Sequence, residues 1–323
     1  MKQFISLAIA LAVSFFSLPT HAADSFPSKP VRIIVPYSAG GPVDIITRGL
    51  SARLNDVWKV ATIVDNRPGA NEIIGATELS HATPDGYTLL MATDSAFSQN
   101  QYLYKKLSYD PDAMVPITRL ALANLVLFVP SDFPASNMRE FIAYVRANPQ
   151  RINYGSAGIG NITHLSMAYV EKTYGLKMTH VPYKGLAPVI QDMLASQVQV
   201  AFGVPSAVEP FLRSGKLKAL GISGAQRAKL LPTVPTFTES GYPDIESNLN
   251  MGLFAPRGTS AEVVNAIAGS VRKILMEPAF RKTYIDDVAF EVAASTPEEF
   301  TAFIAKDKPR QKVRIEMSGA KFD

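Results

Sequence analysis

Two short segments carry the residues best suited to chemistry: Tyr37-Ser38-Ala39-Gly40-Gly41 and Ser156-Ala157-Gly158-Ile159-Gly160. Each combines hydroxyls with glycines, follows an apolar run and leads into a predicted helix. Glycine lets a ligand approach the backbone closely, and the first-turn N–H groups of a helix have no intrahelical partner. The positive end of the helix dipole attracts an anion there. In the first segment Gly41 suits the N-cap, and Pro42 suits N1, where a missing N–H costs nothing. In the second, Asn161 is the expected cap, with Thr163 and His164 in the first helical turn. Ser156, Asn161 and Thr163 can add side-chain donors to the backbone amides. The chemistry implied is capture of a small anion, a carboxylate or a phosphate.

Further residues qualify this reading. Asp44 falls near N3 of the first helix, where a carboxylate complements the dipole and can bond back to preceding N–H groups. Direct contact with an anion would be repulsive, so Asp44 is expected to support the loop, with Arg48 one turn on as its ion-pair partner. Thr93 and Ser95 follow a predicted strand and can offer hydroxyls. Tyr183 and Phe97 are candidate apolar walls. A hydrolytic alternative uses Ser156 as nucleophile and His164 as base. The Gly-Ser-Ala-Gly context lacks the spacing of a nucleophile elbow, and a triad would need an orienting carboxylate. Gly158-x-Gly160 lacks the third glycine of a dinucleotide fingerprint, and no phosphate-binding Gly-Lys-Ser/Thr is present, so no nucleotide cofactor is expected. Four histidines without paired ligand spacing, and no cysteine, argue against a metal.

These segments need elements to hold them. Val31–Val35 reads as a buried strand, and Val43, Ile46, Leu50 and Leu54 recur at helical spacing behind it. Ile152-Asn153-Tyr154 is a strand before the second turn, and Ile162 to Tyr174 a helix ended by Gly175. A helix from about Glu72 to His81, a strand at Tyr87–Ala92 and an apolar strand at Leu122–Val129 fill the intervening sequence. Val263–Leu275 and a segment opened by Pro297 read as late helices. Alternating strands and helices imply an α/β protein with parallel sheets. Over 323 residues without a low-complexity linker, they imply two lobes joined by crossing strands. Ligands in such sheets sit beyond the carboxyl ends of the strands.

Composition sets the setting. With 47% apolar and 19% charged residues the chain is globular. A net charge of +4 without a basic cluster leaves no nucleic-acid footprint. Lys2, the apolar stretch Phe4–Leu18 and the small-residue exit through Ala22-Ala23 read as a cleaved secretory signal peptide over residues 1–22. The absence of cysteine means that the exported protein relies on its core.

The motifs together resemble the Bug (TctC-like) family, the periplasmic solute receptors of tripartite tricarboxylate transporters. The matching pieces are Pro36-Tyr37-x-x-Gly40-Gly41-x-x-Asp44, Asn66-Arg67-Pro68-Gly69-Ala70 and Pro84-Asp85-Gly86-Tyr87-Thr88-Leu89. They continue with Gly158-x-Gly160 and His164-Leu165, then His180-Val181-Pro182-Tyr183-Lys184-Gly185. The late pieces are Gly215-Lys216-Leu217, Leu231-Pro232-x-Val234-Pro235-Thr236 and Gly252-Leu253-Phe254-Ala255-Pro256. The resemblance implies a type II periplasmic-binding-protein-like "Venus flytrap" without catalytic activity. Residues 23–124 and 225–323 would form one lobe and 125–224 the other. It also implies that Tyr37–Gly41 and Ser156–His164 grip a small carboxylate, through amides, hydroxyls and water. The candidates are di- and tricarboxylates, or an aromatic carboxylate such as terephthalate. Membrane permease subunits are the implied partners, with a sensor kinase as the alternative, and the receptor would be monomeric. The chain departs from the family pattern at Asn71-Glu72, where a Gly-rich continuation is usual. It departs again at Gly203-Val204, where a polar or acidic residue is common, and at Ser247–Asn250, which lacks the usual Trp. Without an acid at position 203, a ligand amino group lacks a partner there, which favours a non-amino carboxylate.

Overall fold

The computed structural model describes residues 26–322; the expected signal peptide lies outside the described residues. Among the described residues, eleven strands form two sheets. The first holds β1 (Val31–Val35), β2 (Thr62–Asn66), β3 (Thr88–Thr93), β4 (Val115–Asn124), β10 (Asn248–Ala255) and β11 (Glu291–Val292), in the order β11-β4-β10-β3-β1-β2. The second holds β5 (Val126–Pro130), β6 (Asn153–Ser156), β7 (Thr179–Pro182), β8 (Val200–Gly203) and β9 (Leu217–Ile222), in the order β7-β6-β8-β5-β9.

Both sheets are mixed, where the strand–helix alternation suggested parallel ones. β2, β1 and β3 run parallel, as do β7, β6 and β8. The strands that pass between the lobes are antiparallel to their neighbours: β10 to β3 and β4, and β5 to β8 and β9. The apolar run Leu122–Val129 is therefore two strands, the end of β4 and the start of β5, each in its own sheet. Leu125 sits at the join, its N–H donating to the Ser247 carbonyl (2.8 Å) and its carbonyl accepting from Ser223 N–H (3.0 Å). These backbone bonds tie the crossing segments together.

The helices that matter for the site are α1 (Pro42–Trp58), α2 (Ile73–Ser80), α3 (Ile162–Tyr174) and α4 (Pro297–Ser318). Helix α1 buries Val43, Ile46, Leu50 and Leu54 against the first sheet, the face given by their spacing. Helix α4 opens with a capping box, in which Thr296 Oγ1 accepts from Glu299 N–H and the Glu299 carboxylate accepts from Thr296 N–H. Its far end reaches the second lobe, where Ile315 and Ala320 pack with Leu165 of α3 and with Leu103 from the first-lobe segment between β3 and β4. Residues 225–247 pack on the second sheet rather than with the first lobe, because Leu231, Val234, Phe237 and Ile245 are apolar and find their cover there.

Candidate functional site

Both glycine-rich turns lie at the carboxyl end of a parallel strand and open a helix, but their supports differ. The first follows β1. Gly41 caps α1 in an extended conformation with no side-chain cap, and Pro42 follows it. Ser38, Ala39 and Gly40 are exposed. Asp44 is buried behind them. Its Oδ2 accepts from Gly40 N–H (2.9 Å) and Arg48 Nε (2.9 Å), and its Oδ1 accepts from Asn66 Nδ2 (2.8 Å). Asn66 Nδ2 also donates to the Tyr37 carbonyl (2.9 Å), and Arg48 donates to Asn66 Oδ1 (2.8 Å). The Asp44 carboxyl lies below its ordinary range: burial opposes this, and the bonds from Arg48, Gly40 and Asn66 outweigh it. The Asn66-Arg67 motif thus acts through a contact to the first loop.

Tyr37 turns inward. Its hydroxyl donates to Glu72 Oε1 at 2.5 Å and lies 2.8 Å from Thr93 Oγ1. Glu72 Oε2 accepts from Thr93 N–H (2.8 Å), and Thr93 Oγ1 donates to Oε1. Ser95 Oγ, which donates to Gln99 Oε1 (3.4 Å), lies near enough to help hold the same carboxyl down. Thr93 and Ser95 are therefore buried, Thr93 committed to Glu72 and Ser95 bonded to Gln99, and neither is open on the surface. Burial raises the Glu72 carboxyl, and burial with the neighbouring carboxylate raises the Tyr37 hydroxyl. Phe97 is no cleft wall. It is 1% exposed, in a core cluster with Phe254 and Phe300 at ring distances of 5.4 and 5.6 Å.

The second turn follows β6 and is supported from within by neutral groups. Asn161 caps α3, its Oδ1 accepting from Thr163 N–H and Thr163 Oγ1, both at 3.0 Å. Thr163 Oγ1 in turn accepts from Ala157 N–H (2.9 Å). Buried His164 accepts at Nδ1 from Gly160 N–H (3.1 Å). Its ring stacks on His180 at 4.0 Å and 4°, and His180 stacks on Tyr154 at 4.8 Å. Burial pushes both imidazoles down to about 4, with the mutual repulsion of the pair adding to it for His164. Both rings are neutral near pH 7. Ser156 is fully buried and shares a 2.7 Å hydrogen bond with His180 Nε2, so the serine's partner is His180, 24 residues away, not His164.

At the tip of this turn Gly158 and Gly160 have φ of +140° and +74°, and Ile159 between them is 45% exposed. A Cβ on Gly160 would stand 2.9 Å from Leu103 and 3.2 Å from Phe322, so the turn touches first-lobe segments there. Tyr183 is half-buried beside it. Its N–H donates to the Ser156 carbonyl (2.9 Å), and its hydroxyl to Asp192 (2.7 Å). Among the described residues no group of three or more His, Cys, Asp or Glu is arranged to hold a metal.

Two α/β lobes on crossing strands, each ending a parallel strand in a glycine-rich turn and helix, define a two-lobed solute-binding protein. The chain belongs to the tripartite tricarboxylate transporter family receptors (TctC), which it matches over residues 46–320. It is 33% identical over 280 residues to a UPF0065 protein of Bordetella pertussis, covering 87% of this chain and 85% of that one. It is 29% identical to BugT of the same organism, over 98% and 97% of the two chains. Among solved structures, the periplasmic binding protein BugD superposes with a TM-score of 0.79 at 31% identity, covering 92% of this chain and 99% of that one. An R. palustris protein solved with adipate gives 0.83 at 27%, covering 92% and 100%. MatC of Rhodopseudomonas palustris, solved with malate, gives 0.78 at 28%, covering 90% and 100%.

The sequence alone assigns no role to Glu72 or His180. Glu72 carried one signal, an acidic residue where glycine is usual. His180 carried none, because its bond to Ser156 depends on β6 pairing with β7, which sets Tyr154 opposite His180.

Proposed function

We propose that the protein is an exported receptor that closes its two glycine-rich turns on a small carboxylate and delivers it to the membrane subunits of a tripartite tricarboxylate transporter. The observation that carries this reading is the paired arrangement of helix N-termini. The α1 and α3 ends each follow a glycine turn; bracing uses the N–H groups of Gly40, Ala157, Gly160 and Thr163, and among the described residues those of Ser38, Ala39, Gly41 and Ile159 are left for an anion. The amides of Ser38, Ala39 and Gly41 hold one end of the ligand, and the Ile159 amide at the Gly158–Asn161 turn, with the Asn161 side-chain NH2, holds the other. Tyr183 borders the second turn. The relatives solved with adipate and malate support a carboxylate of similar size.

The energetics suffice without a cationic side chain. Micromolar affinity corresponds to about −8 kcal/mol. Four to six charge-assisted hydrogen bonds at about 1.5–3 kcal/mol each, with up to about 2 kcal/mol from a helix terminus, supply about 6 to 20 kcal/mol before ordering costs are subtracted, so bonds of ordinary to good geometry reach it.

The competing hydrolytic reading would use Ser156 with His180 as base. Ser156 is fully buried, and no carboxylate hydrogen-bonds His180 among the described residues. Ligand-stripped protein screened by thermal shift against mono-, di- and tricarboxylates tests the receptor reading, with saturable stabilisation by one class expected. Ester hydrolysis that disappears in Ser156→Ala would overturn it.

A further inference from the structure

The geometry points to Glu72 as a built-in carboxylate: it fills the first-lobe donor set of the Tyr37 hydroxyl and the Thr93 hydroxyl and N–H that would otherwise take a carboxylate of the ligand. This deepens the receptor reading and rests on it for its consequence, a specificity in which the ligand has no carboxylate to place beside Tyr37.

Four observations converge. The first is position. Tyr37 follows β1, Thr93 ends β3, and the loop carrying Glu72 follows β2, so the carboxylate sits beyond the carboxyl ends of three adjacent parallel strands. Open α/β sheets bind ligands at such ends. The second is the donor set. One oxygen receives two hydroxyls, and the other a backbone N–H at 2.8 Å, the mixture expected around a bound carboxylate. The third is burial: Glu72 is 2% exposed, with no cationic partner among the groups that bond it. A carboxylate is retained in such a place only when hydrogen bonds replace its water.

The fourth is backbone strain. Three successive non-glycine residues, Ala70, Asn71 and Glu72, have φ of +46°, +51° and +73°. Side chains with a Cβ rarely adopt that region. A strained segment persists when the surrounding structure over-determines it. Here the Asn71 side chain donates to Asn100 Oδ1 (2.8 Å), and Asn100 Nδ2 returns a bond to the Asn71 carbonyl (2.8 Å). The loop is held open by that exchange, and its product is the delivery of one carboxylate to three donors.

The consequence for recognition is direct. The Tyr37 hydroxyl and the Thr93 N–H are not available to a ligand, and a second carboxylate brought beside them meets a like charge at short range. The first lobe is left with the amides of Ser38, Ala39 and Gly41, because Gly40 N–H is held by Asp44. Glu72 is thus a specificity-determining residue that excludes carboxylate-rich ligands from this side of the cleft.

Glu72→Gly removes the side chain and also suits the φ of +73°. It should create a vacancy that a free carboxylate can enter. The probe is sodium formate, compared with sodium chloride at equal ionic strength, with thermal unfolding and isothermal titration as readouts. Glu72→Gly is expected to show a saturable rise in melting temperature with formate and a titratable site, at least tenfold stronger than any response of the wild type. Glu72→Gln, which refills the space, is expected to show no formate response. Equal responses of wild type and Glu72→Gly, or no response in a folded Glu72→Gly, would overturn the assignment. If Glu72→Gly does not fold in chloride, formate-dependent recovery of its circular-dichroism signal supports the assignment, and no recovery overturns it. The formate experiment uses no physiological ligand. A failed carboxylate screen of the wild type would therefore sink the receptor reading alone, and a failed formate test this inference alone.

Discussion

The two glycine-rich turns solve one problem with different chemistry. The first is braced by ionised and polar groups: Asp44 gathers Gly40 N–H, Arg48 and Asn66, and Asn66 also holds the Tyr37 carbonyl. The second is braced by a neutral stack, in which His164 holds Gly160 N–H and rests on His180, which holds Ser156. In both, side chains bond several of the turn's own N–H groups, and the proposed anion would take those left over, of Ser38, Ala39 and Gly41 in the first turn and Ile159 in the second. In the proposed site the anion would be held by rigid backbone donors without a cation, whichever way the turn is braced. The contrast shows that two equivalent turns can differ in their response to pH.

That difference can be broken from either side. The largest effect is expected from acid. Each imidazole falls from an unfolded value near 6.5 to about 4 in the folded protein. The folded state thus resists protonation, so this stability is fully present above pH 6.5 and is lost as pH falls towards 4. The loss reaches up to about 1.4 kcal/mol per pH unit for each ring. Asp44, with a lowered value, keeps its contribution above its ordinary 3.8 and loses it only as pH falls below that. On acidification the second turn should therefore loosen first. Thermal unfolding from pH 7 to 4 of wild type and of His164→Gln/His180→Gln checks this: the double variant should lose most of the slope between 6.5 and 4. An unchanged slope would mean that carboxylates elsewhere cause it.

Next in size is Asp44→Ala. It leaves the Gly40 N–H and Asn66 amide without their acceptor, and should destabilise the protein by about 2 kcal/mol in denaturant unfolding. Ligand binding should weaken as the first turn loses its shape. Asn161→Ala removes the α3 cap at a cost of about 1 kcal/mol, or about 2 °C in melting temperature. The smallest stability effect belongs to Gly41→Val. Gly41 has φ −78° and ψ 165°, which any residue adopts, and an added Cβ would meet nothing closer than the Ser38 carbonyl at 3.7 Å. Stability should stay within about 0.5 kcal/mol, while affinity falls by about tenfold or more, because the side chain stands over the amides. Full affinity in that variant would remove the first turn from the site.

What the sequence made legible was local. Gly41-Pro42 at the start of α1, Asn161 as the α3 cap and Gly175 in left-handed geometry at its end all follow from residue type and position. The family also followed from motifs in order along the chain. What stayed hidden depends on distant partners. Leu122–Val129 reads as one apolar strand, because nothing local marks Leu125 as the join of two sheets. Thr93 looks like a surface hydroxyl until Glu72, 21 residues earlier, is seen to claim it. Phe97 has the size of a cleft wall but finds Phe254 and Phe300, which only the folded chain brings near. Residues 225–247 follow the last second-lobe strand and look like a return to the first lobe, yet their apolar residues have their cover on the second sheet.

The central claim is that two uncharged turns from separate lobes grip a carboxylate. Isothermal titration of ligand-stripped wild type, Gly41→Val and Asn161→Ala with the best carboxylate from a panel tests it most directly. The account predicts micromolar or tighter binding to wild type and weaker binding in both variants, one from each lobe. The wild type should also gain about 2.7 kcal/mol of stability at a hundredfold excess over Kd. Absence of binding by every carboxylate, or affinity unchanged in both variants, would contradict it.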